Sequence, residues 1–200
     1  MADLALRYSR LIGTNPVVVA VPRGGVTRLH LPGDDVKVHL VRAVLKAHAE
    51  PGEELELLGA PTTELDARGR ERLRRRVGAV SREVGLISNL NAWENISLPA
   101  AYHGTPPLGE VAELAHRVLE RFGAEPQGFL ARLPDQLDAL ERRLAAFVRL
   151  LVATPDLAVF DDIGEGLSRA ERARVPMFEE EYRARQPLGT LLYLDAQEAA

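Results

Sequence analysis

The stretch Leu157–Phe160 (LAVF) is apolar at every position, begins after Pro155-Asp156 and runs straight into Asp161-Asp162. A strand without polar alternation is buried on both faces, so helices must cover it from above and below. Such strands pair in parallel, and each parallel step needs a crossover, usually a helix. The chain supplies both parts. Val77–Val80 and Thr190–Leu194 read as further apolar strands; Val17–Val21 and Val26–Leu31 read as two more, separated by the turn Pro22–Gly25. Leu55–Leu58 reads as a short strand. From Val36 to about Ala49, the residues Val36, Leu40, Val41, Val44 and Leu45 mark one helix face, and Pro51-Gly52 stops it. Gly109–Phe122 is the clearest helix, with Val111, Leu114, Ala115, Val118, Leu119 and Phe122 on one side and Gly123 as its stop. Another helix runs from about Asp138 to Ala153, and Ser168 with Glu171 forms a capping box for one that Pro176 interrupts. The stretch from Ser81 to Pro107 reads as polar loop. The expected class is α/β, a mostly parallel sheet with helices on both faces.

Composition narrows the function classes. The 200 residues are 46% hydrophobic and 27% charged, enough apolar material for a core. Cysteine is absent, which excludes disulfides, thiolate metal sites and cysteine nucleophiles. A net charge of −4 and a pI near 5.8 argue against a nucleic-acid-binding surface. The run Arg68–Arg76 (RGRERLRRR) reads as a solvated helical face. The opening MADLALRYSR lacks a basic start followed by an apolar run, and no apolar stretch nears the roughly 20 residues of a membrane span. A soluble protein of a reducing compartment is expected.

Three landmarks fall in a telling order. A strand ends in Leu31-Pro32 and is followed by a loop, Lys37 and a helix; LPDQ (Leu133–Gln136) precedes a long helix and then ATPDLAVFDD; a closing strand, TLLYL, follows. Between the first two lies VGAVSREVGLISNLNAWENISLP, Val77–Pro99. This arrangement resembles the ATP-binding subunit of ABC transporters across nearly the whole chain. Trp93-Glu94-Asn95-Ile96 and Leu98-Pro99 match the tail of that family's Q-loop segment, and their wording is most similar to ATPases of bacterial lipid-trafficking importers. The resemblance implies a P-loop NTPase-like core with an N-terminal antiparallel β lobe and an inserted helical lobe. Residues 1–84 and 150–200 would be core and β lobe, and 85–149 the helical lobe.

At the family's functional positions the residue types differ. A phosphate-binding loop has the pattern G-x-x-x-x-G-K-[ST], whose glycines open backbone N–H groups to phosphate, whose Lys neutralises it and whose hydroxyl holds Mg²⁺. The matching residues here are Leu31, Pro32, Gly33, Asp34, Asp35, Val36, Lys37 and Val38, and Val38 offers the metal no ligand atom. Asp34 and Asp35 are expected to cap the helix N-terminus themselves, as ordinary helix-start residues also do. A carboxylate about 5 Å from a phosphate charge costs about 3 kcal/mol at an effective dielectric of about 20. By resemblance Asp161 is the metal-binding acid. Asp162 stands where the family has a catalytic Glu, shorter by one methylene. The signature loop L-S-G-G-Q corresponds to Leu137-Asp138-Ala139-Leu140-Glu141, placing Asp138 and Glu141 where a phosphate would approach. Arg82 takes the Q-loop Gln position, Ser168 the D-loop Asp, and Ala196 the switch His. By the resemblance, family members continue with further helices past the position of Ala200, so a piece involved in regulation or dimer contacts is expected to be missing here.

Two functions remain open. One is a pseudo-ATPase with no expected cofactor, acting as a docking or regulatory subunit on a membrane permease or a second ABC ATPase subunit. The other is a slow but genuine ATP-hydrolysing subunit using ATP and magnesium through Lys37, Asp161 and Asp162. Both imply a cytoplasmic protein, peripheral at the inner face of the membrane, with dimerisation allowed and no nucleic acid.

Overall fold

The computed structural model describes residues 3–12, 14–81 and 84–196, and these divide into two compact units. One comprises residues 1–83, 155–162 and 186–200; the other comprises 84–154 and 163–185. The sequence reading assigns 163–185 to the core, whereas in the structure that segment groups with the helices.

The first unit holds two four-stranded sheets. The antiparallel sheet has the order β2 (Asn15–Pro22), β1 (Leu4–Ile12), β4 (Glu53–Leu57) and β5 (Ala60–Pro61). The parallel sheet has the order β3 (Gly25–Leu31), β8 (Thr190–Ala196), β7 (Leu157–Asp161) and β6 (Val77–Val80). Strands β2 and β3 are separated only by Arg23 and Gly24 yet belong to different sheets. Gly24 and Gly25 have φ of 66° and 117°, values L side chains rarely adopt, and their amides donate to Thr190 Oγ1 and Gly189 O. That turn carries the chain from one sheet to the other. All of β7 is buried, as its unbroken apolar run requires. Helix α1 (Asp34–Lys46) packs Val36, Leu40, Val41 and Val44 inward, and α2 (Ala67–Arg74) seats Gly69 and Leu73.

The second unit is helical: α3 (Ala92–His103), α4 (Leu108–Arg121), α5 (Pro126–Ala131), α6 (Ala139–Ala153), α7 (Arg169–Arg172) and α8 (Pro176–Arg185). The whole expected apolar face of α4 is buried. Phe122, Phe147 and Phe178 meet in its core, with ring centroids 4.7 Å apart for Phe122–Phe178 and 4.8 Å for Phe147–Phe178. Pro176 opens α8 after α7 has ended, so the expected interruption is a break between two helices.

The loop expected from Ser81 to Pro107 contains a helix instead. Asn91 caps α3 by accepting from the Glu94 amide at 2.9 Å, and Glu94 Oε2 in turn accepts from the Asn91 amide at 2.8 Å. Pro99 inside the helix hid it, since proline normally marks a helix end. Strand β1 and helix α5 also lie outside the expected elements.

Asn95 organises the approach to α3. Its side chain is fully buried; Oδ1 accepts from the Ile87 amide at 2.7 Å, and Nδ2 donates to the carbonyls of Ile87, Leu90 and Asn91. An Asn supplies that mix of acceptor and two donors; an Asp does not. Asn95→Ala should cost about 2–4 kcal/mol by leaving buried groups unpaired, and Asn95→Asp a similar amount. Thermal unfolding would then show a midpoint lower by about 5–10 °C. A loss below about 1 kcal/mol would mean the 87–91 loop is held by other contacts.

Candidate nucleotide site

The loop after β3 leads through Pro32 and Gly33 into α1. Gly33 is the N-cap residue and offers no side-chain cap bond. Asp34 and Asp35 lie inside the first turn, so the expected capping by these two residues is not made. A Cβ on Gly33 would meet Asp35 Oδ1 at 2.8 Å, so the Asp35 carboxylate lies close over Gly33. Asp34 turns instead to Lys37, one helical turn on, with Oδ1 3.3 Å from Nζ.

Lys37 is 4% exposed. Its ammonium also lies 3.3 Å from Asp161 Oδ1 and donates to Asp162 Oδ2. The two acids arrive from the end of β7, which is fixed beside β8 by the register Asp161↔Leu194. Asp162 has φ 45°, a left-handed conformation that Asp tolerates better than most residues, and its amide donates to Leu194 O at 2.9 Å. The sheet order therefore brings Asp34, Lys37, Asp161 and Asp162 together. Three carboxylates surround one buried cation. Val38 follows on α1, half-buried, with no oxygen to offer.

Arg82 is outside the described residues. Ala196 ends β8. Asp138 and Glu141 belong to the helical unit and form a reciprocal cap on α6: Asp138 Oδ1 accepts from the Glu141 amide at 2.8 Å, and Glu141 Oε2 from the Asp138 amide at 3.0 Å. Arg132, which the sequence reading did not single out, grips Glu141 with two bonds of 2.6 and 3.0 Å. Burial pushes the Glu141 carboxyl up, but the bonds from Arg132 and from the Asp138 amide outweigh that and hold it below the usual carboxylate range. A second arginine, Arg149 of α6, is half-buried and donates to the carbonyls of Val84 and Gly85, fastening the segment that leads to α3; burial lowers its pKa.

A parallel sheet whose first strand opens through a Gly loop into a helix bearing a buried Lys, with an acid at the end of the next strand but one, defines the P-loop nucleoside-triphosphatase class of fold. Comparison with known proteins refines that class. No protein-family profile matches the chain. It is 34% identical over 117 residues to the ABC transporter ATP-binding protein YbbA of Escherichia coli, a span covering 58% of this chain and 50% of that protein. It is 25% identical over 167 residues to the methionine import ATP-binding protein MetN of Brucella abortus, covering 84% and 44% respectively. The chain spans half or less of the length of these relatives. Among solved structures, it matches CbiO1 of Clostridium perfringens, part of the ABC transporter complex CbiONQ, over 98% of this chain and 79% of that one, with TM-score 0.73 and 18% identity. It matches the ATP-binding cassette MJ0796, solved as a dimer with ADP and Pi, over 97% and 87%, with TM-score 0.72 and 19% identity. The fold is that of an ABC transporter ATP-binding domain. Among the described residues no helix is long and apolar enough to cross a membrane.

Two outcomes check this geometry. Lys37→Met should remove the ammonium from Asp34, Asp161 and Asp162 and cost about 3–5 kcal/mol in urea unfolding at neutral pH. A loss below about 1 kcal/mol would mean that the ammonium contributes little to holding the cluster together. Glu141 gives the second test. Because its folded pKa is depressed, its stabilisation is present above the ordinary carboxylate range and lost as pH falls through the folded value. Glu141→Gln should therefore lower stability at neutral pH and flatten the acid limb of the stability profile.

Proposed function

We propose that this chain is an ABC transporter ATP-binding subunit in which the nucleotide chemistry has been lost, serving as a docking or regulatory subunit of a membrane transport complex. Its partners would be a permease subunit, a second ABC ATPase subunit, or both. The observation that carries the reading is the engagement of the Lys37 ammonium by Asp34, Asp161 and Asp162. A phosphate loop needs that cation for the triphosphate. Here one positive charge already faces three negative ones, so an arriving phosphate meets a net negative pocket.

The residues present do not fit a magnesium triphosphate. Val38 has no hydroxyl for the metal, Asp35 crowds the backbone at Gly33, and Asp162 is bonded to Lys37 where the family's longer Glu would hold water. In the helical unit, the α6 N-terminus is occupied by its own Asp138–Glu141 cap, where the family keeps a Ser and small Gly residues for phosphate. Both halves of a composite ABC site are thus altered in one polypeptide. The tail Trp93–Pro99 supports a lipid-trafficking complex, while MetN is named for methionine import.

Titration of the full chain with a fluorescent ATP analogue in Mg²⁺ should give no saturable binding at micromolar concentrations. Micromolar affinity abolished by Lys37→Ala would instead establish the slow-ATPase alternative. Co-expression with candidate permease and ATPase subunits should yield a stable complex, and failure to co-purify with any of them would remove the docking role.

A further inference from the structure

The arginine run has no part in the site above. Between Asp66 and Arg76 the chain carries six arginines against two acids, in a protein of net charge −4. Helix α2 is capped by Asp66, whose Oδ1 accepts from the Gly69 amide at 2.6 Å. It is seated through Gly69 and Leu73, both buried; a Cβ on Gly69 would meet Asp66 and Leu65 side-chain atoms at 3.0 and 3.2 Å. That close seating turns Arg68, Arg72 and Arg75 outward, and their i, i+4, i+7 spacing puts them in one exposed stripe.

Folding accounts for only part of this charge. Arg76 is paired with Asp156 at 2.6 Å, Arg70 donates to Leu65 O at 2.8 Å, and Arg74 and Arg75 share Glu71. Cations in the last turn also suit the helix dipole. Among the described residues, no hydrogen bond or ion pair engages Arg68 or Arg72. Arg68 sits in the first turn, where the dipole disfavours a cation, and Arg68 and Arg72 repel each other across one turn. The first-turn placing of Arg68 and its repulsion with Arg72 cost the helix stability in isolation, so an external anion is the natural counterpart.

We propose that the Arg68–Arg72–Arg75 face of α2 binds the anionic headgroups of a membrane surface. The stripe carries no aromatic side chain on which a base could stack and no exposed apolar residue to anchor a protein partner. It offers charge alone, on a rigid helix, which is how a peripheral protein reads a layer of lipid phosphates. The contact is independent of nucleotide binding, so it stands or falls separately from the function proposed above.

Co-sedimentation of the full chain with vesicles tests it. Vesicles of phosphatidylcholine mixed with phosphatidylglycerol should bind the protein in a salt-sensitive way, and phosphatidylcholine alone should not. Each arginine removed should weaken binding about fivefold, so Arg68→Gln, Arg72→Gln and Arg75→Gln together should weaken it more than about a hundredfold. Arg117→Gln with Arg183→Gln, a charge change of the same sign on exposed residues elsewhere, should leave binding nearly unchanged. Absence of binding, equal binding to neutral vesicles, an unchanged triple variant or an equal loss in the control would each overturn the proposal. So would tighter binding to duplex DNA than to the anionic vesicles. Circular dichroism confirms that the triple variant is folded.

Discussion

A buried ammonium must find counter-charge inside the protein, and Lys37 finds it in Asp34 from its own helix and in Asp161 and Asp162 from the end of β7. That one cluster ties the loop after β3 to the central strand of the parallel sheet. It needs the order β3-β8-β7, because only β8 stands between the two strands whose ends supply the charges. The sheet therefore sets the electrostatics of the pocket, and the pocket in turn staples the sheet ends together. A carboxylate pair with a left-handed residue in it is held in place by the Asp162–Leu194 backbone bond and by the lysine.

Much of the architecture was legible in the residues, for reasons of period. The unbroken apolar runs of β6, β7 and β8 and the amphipathic face of α4 each have one structural solution. Strand β1 was not legible, because Arg7, Ser9 and Arg10 interrupt it and only pairing with β2 and β4 makes it a strand. Helix α3 was masked by Pro99 although its Asn91–Glu94 box was in plain view, and α5 is a short segment capped by Glu125. The turn between β2 and β3 carries hairpin chemistry, yet the chain changes sheet there.

At the site, motif position identified Lys37, Asp161 and Asp162, but the ion cluster itself lay beyond reach. Its partners are about 125 residues apart, and their meeting depends on strand order rather than on any local pattern. The same limit explains the misjudged Asp34: propensity favours a cap, while the nearby buried cation draws the carboxylate toward it. Arg132 carried no signal either, since its bidentate grip on Glu141 depends on how the chain folds between Phe129 and α6. Local rules read caps and periods well; they do not read charge arriving from a distant strand.

Strand β2 closes one end of the antiparallel sheet, with Val18 and Ala20 facing outward. A long valine-rich border of this kind invites another chain to add itself, strand upon strand, toward fibrous aggregates. Pro16 and Pro22 stand near the two ends of that border and bring no amide hydrogen to it. Two prolines thus flank this valine-rich run, leaving little room for a foreign strand to take hold.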